Sequence, residues 1–466
     1  MIGLSLTDIA TTVGGTLELG GADTGATIVS GAVETDSRRI TPGGIFVAKP
    51  GEVTDGHLFV PAAVSNGAVV AIVERALDAA ALGGDISQVI VPDAVAALGA
   101  LARRVVAHVH AEGTLTTVGI TGSNGKTTTK NLLARMLEGE GETVAPEASF
   151  NNEVGAPLTM LRITHDTNFL ISELGASAPG EIARLAALVQ PDVAVVLMVG
   201  MEQTVRTKAE LVEALRPGGL AVLNSDDPRV AGMAEIAHAR GARVRWFGTG
   251  ERAEVRADDI NVTAQGTSFT VTADGLVAPV FLRVLGEHHV SNAIAAIATA
   301  MALGVSLAHC IERLETIEIA ERWRMQPMGS DRVRIINDAY NASPDSMAAA
   351  LRTLAQITGP ENRTVAVLGA MSELGEFADE QHDRIAVLAV RLGVKRIVVI
   401  GADARRLFLE AIAQGSWDGE AIYFATDDEA FAYLTGELTD GDVVLVKSSN
   451  SAGLRFLGDR LGEYFS

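Results

Sequence analysis

The stretch TVGITGSNGKTTTKNLLARML, residues 117–137, decides the fold of the chain around it. Residues 118–121 predict a buried strand, and an apolar stripe over residues 132–137 predicts one face of a helix. A glycine-rich turn between a strand and a helix is typical of a phosphate-binding loop. The residues of this loop and of the first helical turn are Gly122, Ser123, Asn124, Gly125, Lys126, Thr127 and Thr128.

The residue types in the loop suit a nucleotide phosphate. Glycines let the backbone N–H groups point inward, and the start of the helix adds its positive end. Lys126 supplies a full charge for the outer phosphates, and the Thr127 hydroxyl is suited to ligate Mg2+. Ile120 stands where the longer form of the pattern has a glycine, so this is the shorter form. The alternative is a glycine-rich turn with a solvated lysine.

Composition narrows the class of protein. A chain of 466 residues is too long for one core and predicts about three domains. A net charge of -21 argues against binding to nucleic acid or to an anionic membrane. The single cysteine, Cys310, fits a reducing compartment, and neither a signal peptide nor a membrane span is apparent. We expect a cytoplasmic protein.

The N-terminal domain, residues 1–110, alternates short strands and helices. Strands are predicted over 31–39, 44–51 and 68–74, and helices over 58–67 and 93–110. Two polar clusters interrupt this pattern, namely Asp36-Ser37-Arg38 and Asp55-Gly56-His57. Such side chains at strand ends suit a diphosphate or sugar ligand, although solvated loops explain them as well.

The central domain, residues 111–324, predicts a parallel sheet. Its apolar strands 169–174, 193–199 and 220–224 are separated by helical patterns, which is typical of a sheet covered on both faces. Ligands bind at the carboxyl ends of such strands, where Glu173 is a candidate magnesium ligand. A helix cap or a solvated strand end is the alternative for Glu173. The local sequence around Lys208 indicates only a surface residue that is paired with Glu210.

Two further groups of side chains accompany the central sheet. Asn151 and Asn152 form a polar turn that we expect at the same edge as Glu173. A helix is predicted over 286–303, with His288 and Asn292 on one face near its start. That pair could contact a base or a ribose, and capping or solvent exposure explains it almost equally well.

The C-terminal domain, residues 325–466, predicts a second doubly wound α/β sheet. Strands over 333–338, 363–370, 396–402, 421–425 and 442–449 alternate with helices that begin at Pro344, Glu376, Ala404, Asp427 and Gly453. Polar residues follow the strands of this sheet. They are Asp338, Tyr340, Asn341, Ser372, Glu373, Lys447 and Ser449.

Several motifs, in order and across nearly the whole chain, resemble one family, the Mur ligases of peptidoglycan synthesis. The resemblance is strongest to the branch that adds a D-alanyl-D-alanine dipeptide. NDAYNASPDSM and GAMSELG are the most discriminating motifs. The full set is TGSNGKTTT (121–129), NNEVGAP (151–157), ELGA (173–176), GEHHVSNAIAA (286–296), NDAYNASPDSM (337–347) and GAMSELGEF (369–377) with His382.

The resemblance implies three α/β domains and an ATP-driven ligase. Its substrates would be UDP-MurNAc-tripeptide and D-Ala-D-Ala, joined through an acyl phosphate, with two Mg2+ ions. We expect a monomeric chain, although the sequence leaves the oligomeric state open. The resemblance also implies roles for single residues. Lys126, Thr127, Glu173 and Arg322 would bind the phosphates and magnesium. Asn292 would contact the adenine and Asp338 the ribose. Residues 36–38 and 55–57 would bind the uridine diphosphate, and the remaining substrate contacts would come from Asn151, Asn152, Tyr340 and Asn341. Lys208 matches a lysine that is carbamylated in this family and helps to hold the second magnesium ion.

One departure from the family pattern affects that second metal site. Relatives have a longer loop with a histidine ligand before the lysine, whereas residues 201–207 here read MEQTVRT. The site lacks an expected ligand unless Glu202, Gln203 or water substitutes. The departure predicts slow turnover or a rearranged metal shell. Two other functions stay open beside the D-Ala-D-Ala ligase. One is a sister amino-acid ligase, and the other is a nucleotide-binding family member with impaired catalysis.

Overall fold

The computed structural model describes residues 1–51, 54–176, 178–200, 204–317, 321–415 and 420–466. It divides into two compact units. The first unit contains residues 1–253 and 295–305, and the second contains residues 254–294 and 306–466. Each unit combines mixed or parallel sheets with covering helices, which confirms the α/β prediction.

The N-terminal part of the first unit is built on a five-stranded sheet of order β2-β7-β6-β5-β4, in which only the β2–β7 pair is antiparallel. Strands β1 and β3 form a separate antiparallel pair. The elements are β1 (Leu4–Ser5), α1 (Leu6–Val13), β2 (Thr16–Glu18), β3 (Ile28–Val29), β4 (Val33–Glu34), β5 (Gly44–Val47), α2 (Val60–Ser65), β6 (Ala68–Val73), α3 (Ala79–Leu82), β7 (Ser87–Ile90) and α4 (Ala94–Ala111).

The rest of the first unit contains a parallel sheet of order β13-β12-β11-β8-β10-β9. The strand that leads into the phosphate loop, β8, lies between β11 and β10 in the sheet. The elements are β8 (Thr116–Thr121), α5 (Lys126–Met136), β9 (Glu142–Val144), α6 (Gly155–Met160), β10 (Thr167–Glu173), α7 (Glu181–Val189), β11 (Val193–Val196), α8 (Val205–Glu213), β12 (Leu220–Asn224), α9 (Pro228–Ala231), α10 (Ala234–Ala239) and β13 (Arg243–Gly248).

The second unit begins with the antiparallel strands β14, β15 and β16 and contains a six-stranded sheet of order β17-β18-β22-β19-β20-β21. Only the β17–β18 pair of that sheet is antiparallel. The elements are β14 (Val255–Thr263), β15 (Gly266–Ala273), β16 (Leu276–Leu282), α11 (Glu287–Ala302), α12 (Leu307–Glu315), β17 (Gln326–Gly329), β18 (Val333–Asn337), α13 (Pro344–Ile357), β19 (Arg363–Leu368), α14 (Ala378–Arg391), β20 (Arg396–Ile400), α15 (Arg405–Ala413), β21 (Ala421–Phe424), α16 (Asp427–Glu437), β22 (Asp442–Lys447) and α17 (Leu454–Tyr464). Of α11, residues 287–294 belong to this unit and residues 295–302 to the first unit.

The long helix α4 holds the first unit together. The carboxylate of Asp93 caps its start by accepting from the N–H groups of Val95 and Ala96, both at 2.9 Å. Its apolar side chains, including Leu98 and Leu101, are buried in one core with α1, α6 and α7. Because burial of a leucine contributes about 2 kcal/mol, this helix is a structural element and not an exposed linker.

Several predicted strands are shorter than the sequence indicated, and the local contacts explain two of them. The strand predicted over 31–39 is limited to β4, because the Asp36 carboxylate accepts from the Arg38 N–H at 3.0 Å and starts a 3-10 turn. The strand predicted over 193–199 ends as β11 at Val196. The Ser123 N–H then donates to the Met198 carbonyl at 2.9 Å, so that this segment follows the phosphate loop.

The antiparallel strands β14 to β16 do not appear in the sequence prediction, which described the region before residue 320 as strand and helix in alternation. In β15, buried and half-buried residues alternate over most of its length, which is the pattern of a strand with one covered face. Helices α13 and α16 begin at the predicted residues, and both carry a capping box. Within the described ranges, no helix combines the length and the apolar character that crossing a bilayer requires.

Candidate active site

The phosphate loop connects the end of β8 to the start of α5. Gly125, the residue before the helix, has a φ of 87°, a conformation that glycine adopts at little cost. A Cβ atom on Gly122 would lie 3.0 Å from the Cβ atom of Leu197, so the loop fits tightly against the segment that follows β11. The glycines therefore permit both the turn and its close packing.

The first turn of α5 provides the polar groups of the loop. Gly125 brings no capping side chain, and the N–H groups at a helix start attract anions. The Lys126 ammonium donates to the carbonyl oxygens of Gly122 at 2.8 Å and of Ser123 at 3.4 Å, so it lies over the loop. The arrangement presents one full positive charge and a helix N-terminus to the same space.

Glu173 ends β10 beside this loop and is fully buried. Its Oε1 atom accepts from the Ser149 hydroxyl at 2.7 Å and from the Asn151 amide at 2.9 Å. The Thr127 hydroxyl donates to the Ser149 oxygen at 3.3 Å. The Glu173 Oε2 atom has no hydrogen-bond partner among the described residues. Because a buried carboxylate oxygen without a partner is costly, the site fits a bound cation.

The chemistry of these oxygen atoms fits magnesium. Mg2+ prefers oxygen ligands, and it is usually held by one or two protein groups together with substrate phosphates and water. Thr127 and Glu173 would hold the ion, and it would neutralise charge on the phosphates. Ser149 and Asn151 orient the carboxylate. The sequence analysis missed Ser149, whose only signal is its place two residues before Asn151.

Lys208 lies in α8 and is 4% exposed. Burial, with a smaller contribution from the charge of Lys126, lowers the pKa of Lys208 to about 8. The neighbouring Glu210 carboxylate accepts from the N–H groups of Gly180 at 2.7 Å and of Ala183 at 2.9 Å. The interpretation of Lys208 as a surface residue paired with Glu210 is therefore wrong, since Lys208 is buried.

This pKa predicts a pH-dependent effect on stability. Lys208 binds a proton with a pKa of about 8 in the folded chain and about 10.5 in the unfolded chain, so its charged form destabilises the fold below pH 8. We expect Lys208→Met to have a higher Tm than wild type at pH 7, without magnesium or nucleotide and in buffer free of CO2, so that the amine is unmodified. The difference should shrink as the pH rises from about 8 to 10.5. A difference that is constant across this range would contradict the prediction.

The residue that precedes the shortened loop, Gly200, is held by two hydrogen bonds. The Gly200 N–H donates to the Ser123 hydroxyl at 2.9 Å, and the Arg229 guanidinium donates to the Gly200 carbonyl at 3.1 Å. Glu202 and Gln203, which we considered as substitute metal ligands, lie outside the described residues. The chain re-enters the described region at Thr204, directly before α8.

The two N-terminal polar clusters form 3-10 turns that both pack against α2. The Arg38 guanidinium forms two hydrogen bonds with Asp36, at 2.9 and 2.7 Å, and it lowers the pKa of that carboxyl to about 2. Ser37 is buried, and its carbonyl accepts from the Asn66 amide at 2.9 Å. The Arg38 side chain is largely exposed although it is paired with Asp36.

The His57 side chain stabilises the local structure. Its Nδ1 atom lies 2.6 Å from an oxygen of Asp55, and its Nε2 atom accepts from the Glu74 N–H at 2.9 Å. Hydrogen bonds from His57 and Arg75 hold the pKa of the Asp55 carboxyl well below its usual range. Because both ring nitrogens have internal partners, the ring fixes the turn around Gly56.

In the second unit, an ion pair joins two strand ends. The Lys447 ammonium, which is almost fully buried, lies 2.6 Å from the Asp338 carboxylate and also donates to the Asn341 carbonyl at 3.1 Å. The other Asp338 oxygen accepts from the Met325 N–H at 3.0 Å. The sequence indicated these residues separately, but only the parallel pairing of β18 with β22 brings them together.

Arg322 belongs to a second polar group in the same unit. Its guanidinium donates at 2.9 Å to Asp459, which also accepts from the Trp323 indole at 3.0 Å and the Asn337 amide at 3.1 Å. The guanidinium carbon of Arg324 lies 4.4 Å from the centre of the Tyr340 ring. No sequence signal indicated Asp459, which is one of two acidic residues on the C-terminal helix α17.

The predicted residues on α11 are largely buried. Asn292 is 6% exposed, and the ring of His288 lies 4.1 Å from the ring of His289. Burial lowers the pKa of His288 to about 4, so this ring is neutral near pH 7. A neutral ring and an amide suit an uncharged ligand group better than a phosphate.

A cavity of about 670 Å3 lies at the carboxyl ends of β19, β20 and β22. Asp379, Asp403 and Arg405 bring charges of both signs to it, and His382 and Ser449 also line it. The His382 Nδ1–H donates to the Ala378 carbonyl at 2.7 Å, and Nε2 accepts from the Met371 N–H at 3.1 Å. This is the edge of a doubly wound sheet at which ligands bind.

Comparison with known proteins identifies the family. The model of the Mur ligase family catalytic domain matches residues 31–113, that of the Mur ligase middle domain matches 120–300, and that of the Mur ligase glutamate ligase domain matches 323–450. The UDP-N-acetylmuramoyl-tripeptide--D-alanyl-D-alanine ligase of Mycobacterium tuberculosis strain H37Rv is 42% identical, covering 99% of this chain and 98% of the relative.

The chain belongs to the Mur ligase family.

Other members of the Mur ligase family resemble the chain over nearly its full length. The Escherichia coli K12 protein of the same name is 31% identical, with 97% of each chain covered. MurF from Acinetobacter baumannii superimposes with a TM-score of 0.86 at 30% identity and 99% coverage of both chains. MurF from Thermotoga maritima in complex with ADP superimposes with a TM-score of 0.79 at 26% identity, covering 94% of this chain and 98% of that one. The Mur ligase resemblance and its three-domain α/β fold are therefore confirmed.

Proposed function

We propose that this Mur ligase uses ATP to join D-Ala-D-Ala to UDP-MurNAc-tripeptide. The observation that carries the proposal is the Oε2 atom of Glu173, which has no hydrogen-bond partner among the described residues. Glu173 is linked to Thr127 in the first turn of α5 through the Ser149 hydroxyl, and this arrangement fits a magnesium-bound phosphate. The substrates are those in the names of relatives that match nearly the whole chain. ATP is supported by the MurF neighbour with bound ADP.

The reaction places two anions together, and this explains the charges at the phosphate loop. The tripeptide carboxylate attacks the terminal phosphorus of ATP, the bond to ADP breaks, and an acyl phosphate forms. The amine of D-Ala-D-Ala then attacks the acyl carbon, phosphate leaves, and the amine loses a proton to solvent. Lys126 and the N–H groups of α5 stabilise the negative charge that the phosphate oxygens carry in the first step.

The remaining roles follow from the family resemblance. We assign adenine to Asn292, ribose to Asp338, and a phosphate contact to Arg322. We assign the uridine diphosphate end to residues 36–38 and 55–57, and other substrate contacts to Asn152, Tyr340 and Asn341. Domain limits at 110 and 324, a monomeric state and a cytoplasmic location belong to the same proposal. Alanine substitution at each residue, with KM measured for each substrate, tests the individual roles.

We also propose that Lys208 carries a carbamate that helps to hold a second magnesium ion. A neutral lysine amine reacts with CO2, forming an N–C bond and releasing a proton, and a pKa of about 8 raises the neutral fraction near physiological pH. A carbamate carbon signal from 13C-labelled bicarbonate, detected by NMR in wild type and lost in Lys208→Met, supports this assignment. Its absence from wild type contradicts it.

The cavity of the second unit is our proposed site for D-Ala-D-Ala. The dipeptide is a zwitterion, and the exposed Arg405 together with Asp379 and Asp403 offers charges of both signs. Arg406 is already bound to Asp383 through two hydrogen bonds of 2.6 Å, which leaves Arg405 as the better partner for the carboxylate.

Arg405→Ala is therefore expected to raise the KM for D-Ala-D-Ala by about 10-fold, the value of one charge-assisted hydrogen bond. The kcat should change by less than about twofold, since the contact is the same in the ground state and the transition state. Arg391→Ala is the matched control, because Arg391 is exposed at the end of α14 and does not line the cavity. An unchanged KM in Arg405→Ala would exclude this position for the carboxylate.

The short loop before α8 leaves one alternative, a family member that binds ATP without efficient turnover. Losing one preorganised group at a metal site reduces turnover about 100-fold to 1,000-fold. A kcat near the enzyme median of about 10 s−1, with activation by two Mg2+ ions, would contradict this alternative.

Phosphate release from ATP tests the proposed function. Release should require UDP-MurNAc-tripeptide and D-Ala-D-Ala together, and it should be absent with either one alone. A panel of amine acceptors separates this ligase from a sister ligase for single amino acids. Release of phosphate with only one substrate, or with a different acceptor, would overturn the assignment. ATP binding without any release would favour the alternative.

A further inference from the structure

Three side chains that could bind a metal ion meet on the surface of the first unit. His108 and Glu112 are four residues apart at the end of α4, and His165 lies in the segment between α6 and β10. Their ligand atoms all lie within 4.8 Å of one another. The His165 Nδ1 atom is 2.9 Å from Glu112 Oε2, and the His108 Nε2 atom is 3.6 Å from Glu112 Oε1.

We propose that His108, Glu112 and His165 form a binding site for a transition-metal ion of the zinc class. Zinc binds imidazole nitrogen and carboxylate oxygen at about 2.0–2.2 Å, which places tetrahedral ligand atoms about 3.3 Å apart. The separations of His165 and His108 from Glu112, 2.9 and 3.6 Å, are close to that value. The ligand atoms of the two histidines lie within 4.8 Å of each other, and small side-chain rotations bring them to it. Water would complete the tetrahedral shell.

The ligand types make this site different from the magnesium site. Thr127 and Glu173 offer only oxygen atoms, which suit magnesium, whereas two imidazoles favour zinc, copper or nickel over magnesium and calcium. The two sites are also at opposite ends of β10. His165 precedes the first residue of this strand and Glu173 is its last, and a strand of this length spans about 20 Å.

The segment that carries His165 is held in place by its neighbours. The hydroxyls of Thr164 and Thr167 both donate to one oxygen of Glu142, at 3.1 and 2.7 Å. His108 and Glu112 are positioned by the helix, because residues four apart lie on one face. Binding would therefore need little ordering of the backbone. It would link the end of α4 to the start of β10, so we infer a stabilising role.

Calorimetric titration of the full, tag-free chain with Zn2+ at pH 7.5 tests this proposal. ATP is left out because it chelates zinc. We expect one zinc ion per chain with a Kd in the micromolar range or below, and a rise in Tm on binding. His165→Ala should weaken binding at least 10-fold, and Glu112→Gln should weaken it as well. His238→Ala is the matched control, since His238 is an exposed histidine on α10 of the same unit.

A second measurement separates this site from nonspecific binding. Cobalt in place of zinc should give the strong visible absorption of a tetrahedral ion in wild type, and His165→Ala should lose it. Phosphate release without added zinc should be the same in His165→Ala and wild type, because the cluster lies away from the phosphate loop. Equal zinc affinity in wild type and His165→Ala, or a wild-type Kd in the millimolar range, would overturn the proposal.

Discussion

Lys126→Ala is expected to lower the kcat of phosphate release by about 1,000-fold or more. The Lys126 ammonium is held over the phosphate loop by the Gly122 carbonyl at 2.8 Å, and in the proposed reaction it would face the charge that develops during phosphoryl transfer. Removing one preorganised neutral donor from such a site costs about 100-fold to 1,000-fold, and a full charge contributes at least as much. ATP affinity should fall less, because the backbone N–H groups of the loop remain.

Two variants control this experiment. Lys395→Ala removes an exposed lysine of the second unit and should leave kcat unchanged. Lys126→Arg keeps the charge but not the shape, and we expect it to restore little activity because a guanidinium does not fit where a compact ammonium lies against the loop. If Lys126→Ala kept more than about one tenth of the wild-type kcat, this lysine would not serve phosphoryl transfer.

Glu173→Gln is expected to lower magnesium-dependent turnover by about 100-fold to 1,000-fold without destabilising the chain. The amide oxygen can keep the hydrogen bonds from Ser149 and Asn151. The substitution removes a buried charge whose Oε2 atom has no partner among the described residues, and a buried neutral amide costs less than a buried charge. The Tm without magnesium should therefore be unchanged or higher.

Magnesium itself provides the decisive comparison for Glu173. Mg2+ with a nucleotide should raise the Tm of wild type, and Glu173→Gln should lose most of that rise. Ser172→Ala is the control, because Ser172 is buried next to Glu173 but faces the other side of the strand. Full magnesium stabilisation in Glu173→Gln would show that this carboxylate does not hold the ion.

The elements that carry strong periodic patterns were predicted well from the sequence. β8, α5 and β12 lie where the apolar runs indicated, since each is fixed by its own side chains and by contacts with immediate neighbours. The strand predicted over 31–39 is wrong beyond β4 for a local reason. The Asp36 carboxylate caps a 3-10 turn, and this cap ends the extended backbone of the preceding residues. The prediction of alternating strands and helices up to residue 320 is wrong for β14 to β16, where three antiparallel strands follow one another.

The sequence by itself determined the class of fold, the phosphate loop with Lys126 and Thr127, and the family, because these depend on short motifs and local periodicity. Only the tertiary structure decided which polar groups meet. The support of Glu173 by Ser149, the pairing of Asp338 with Lys447, and the approach of His165 to Glu112 each join residues far apart in the chain. Burial likewise gave Lys208 its lowered pKa. Such contacts depend on strand order and helix packing, which a linear pattern does not encode.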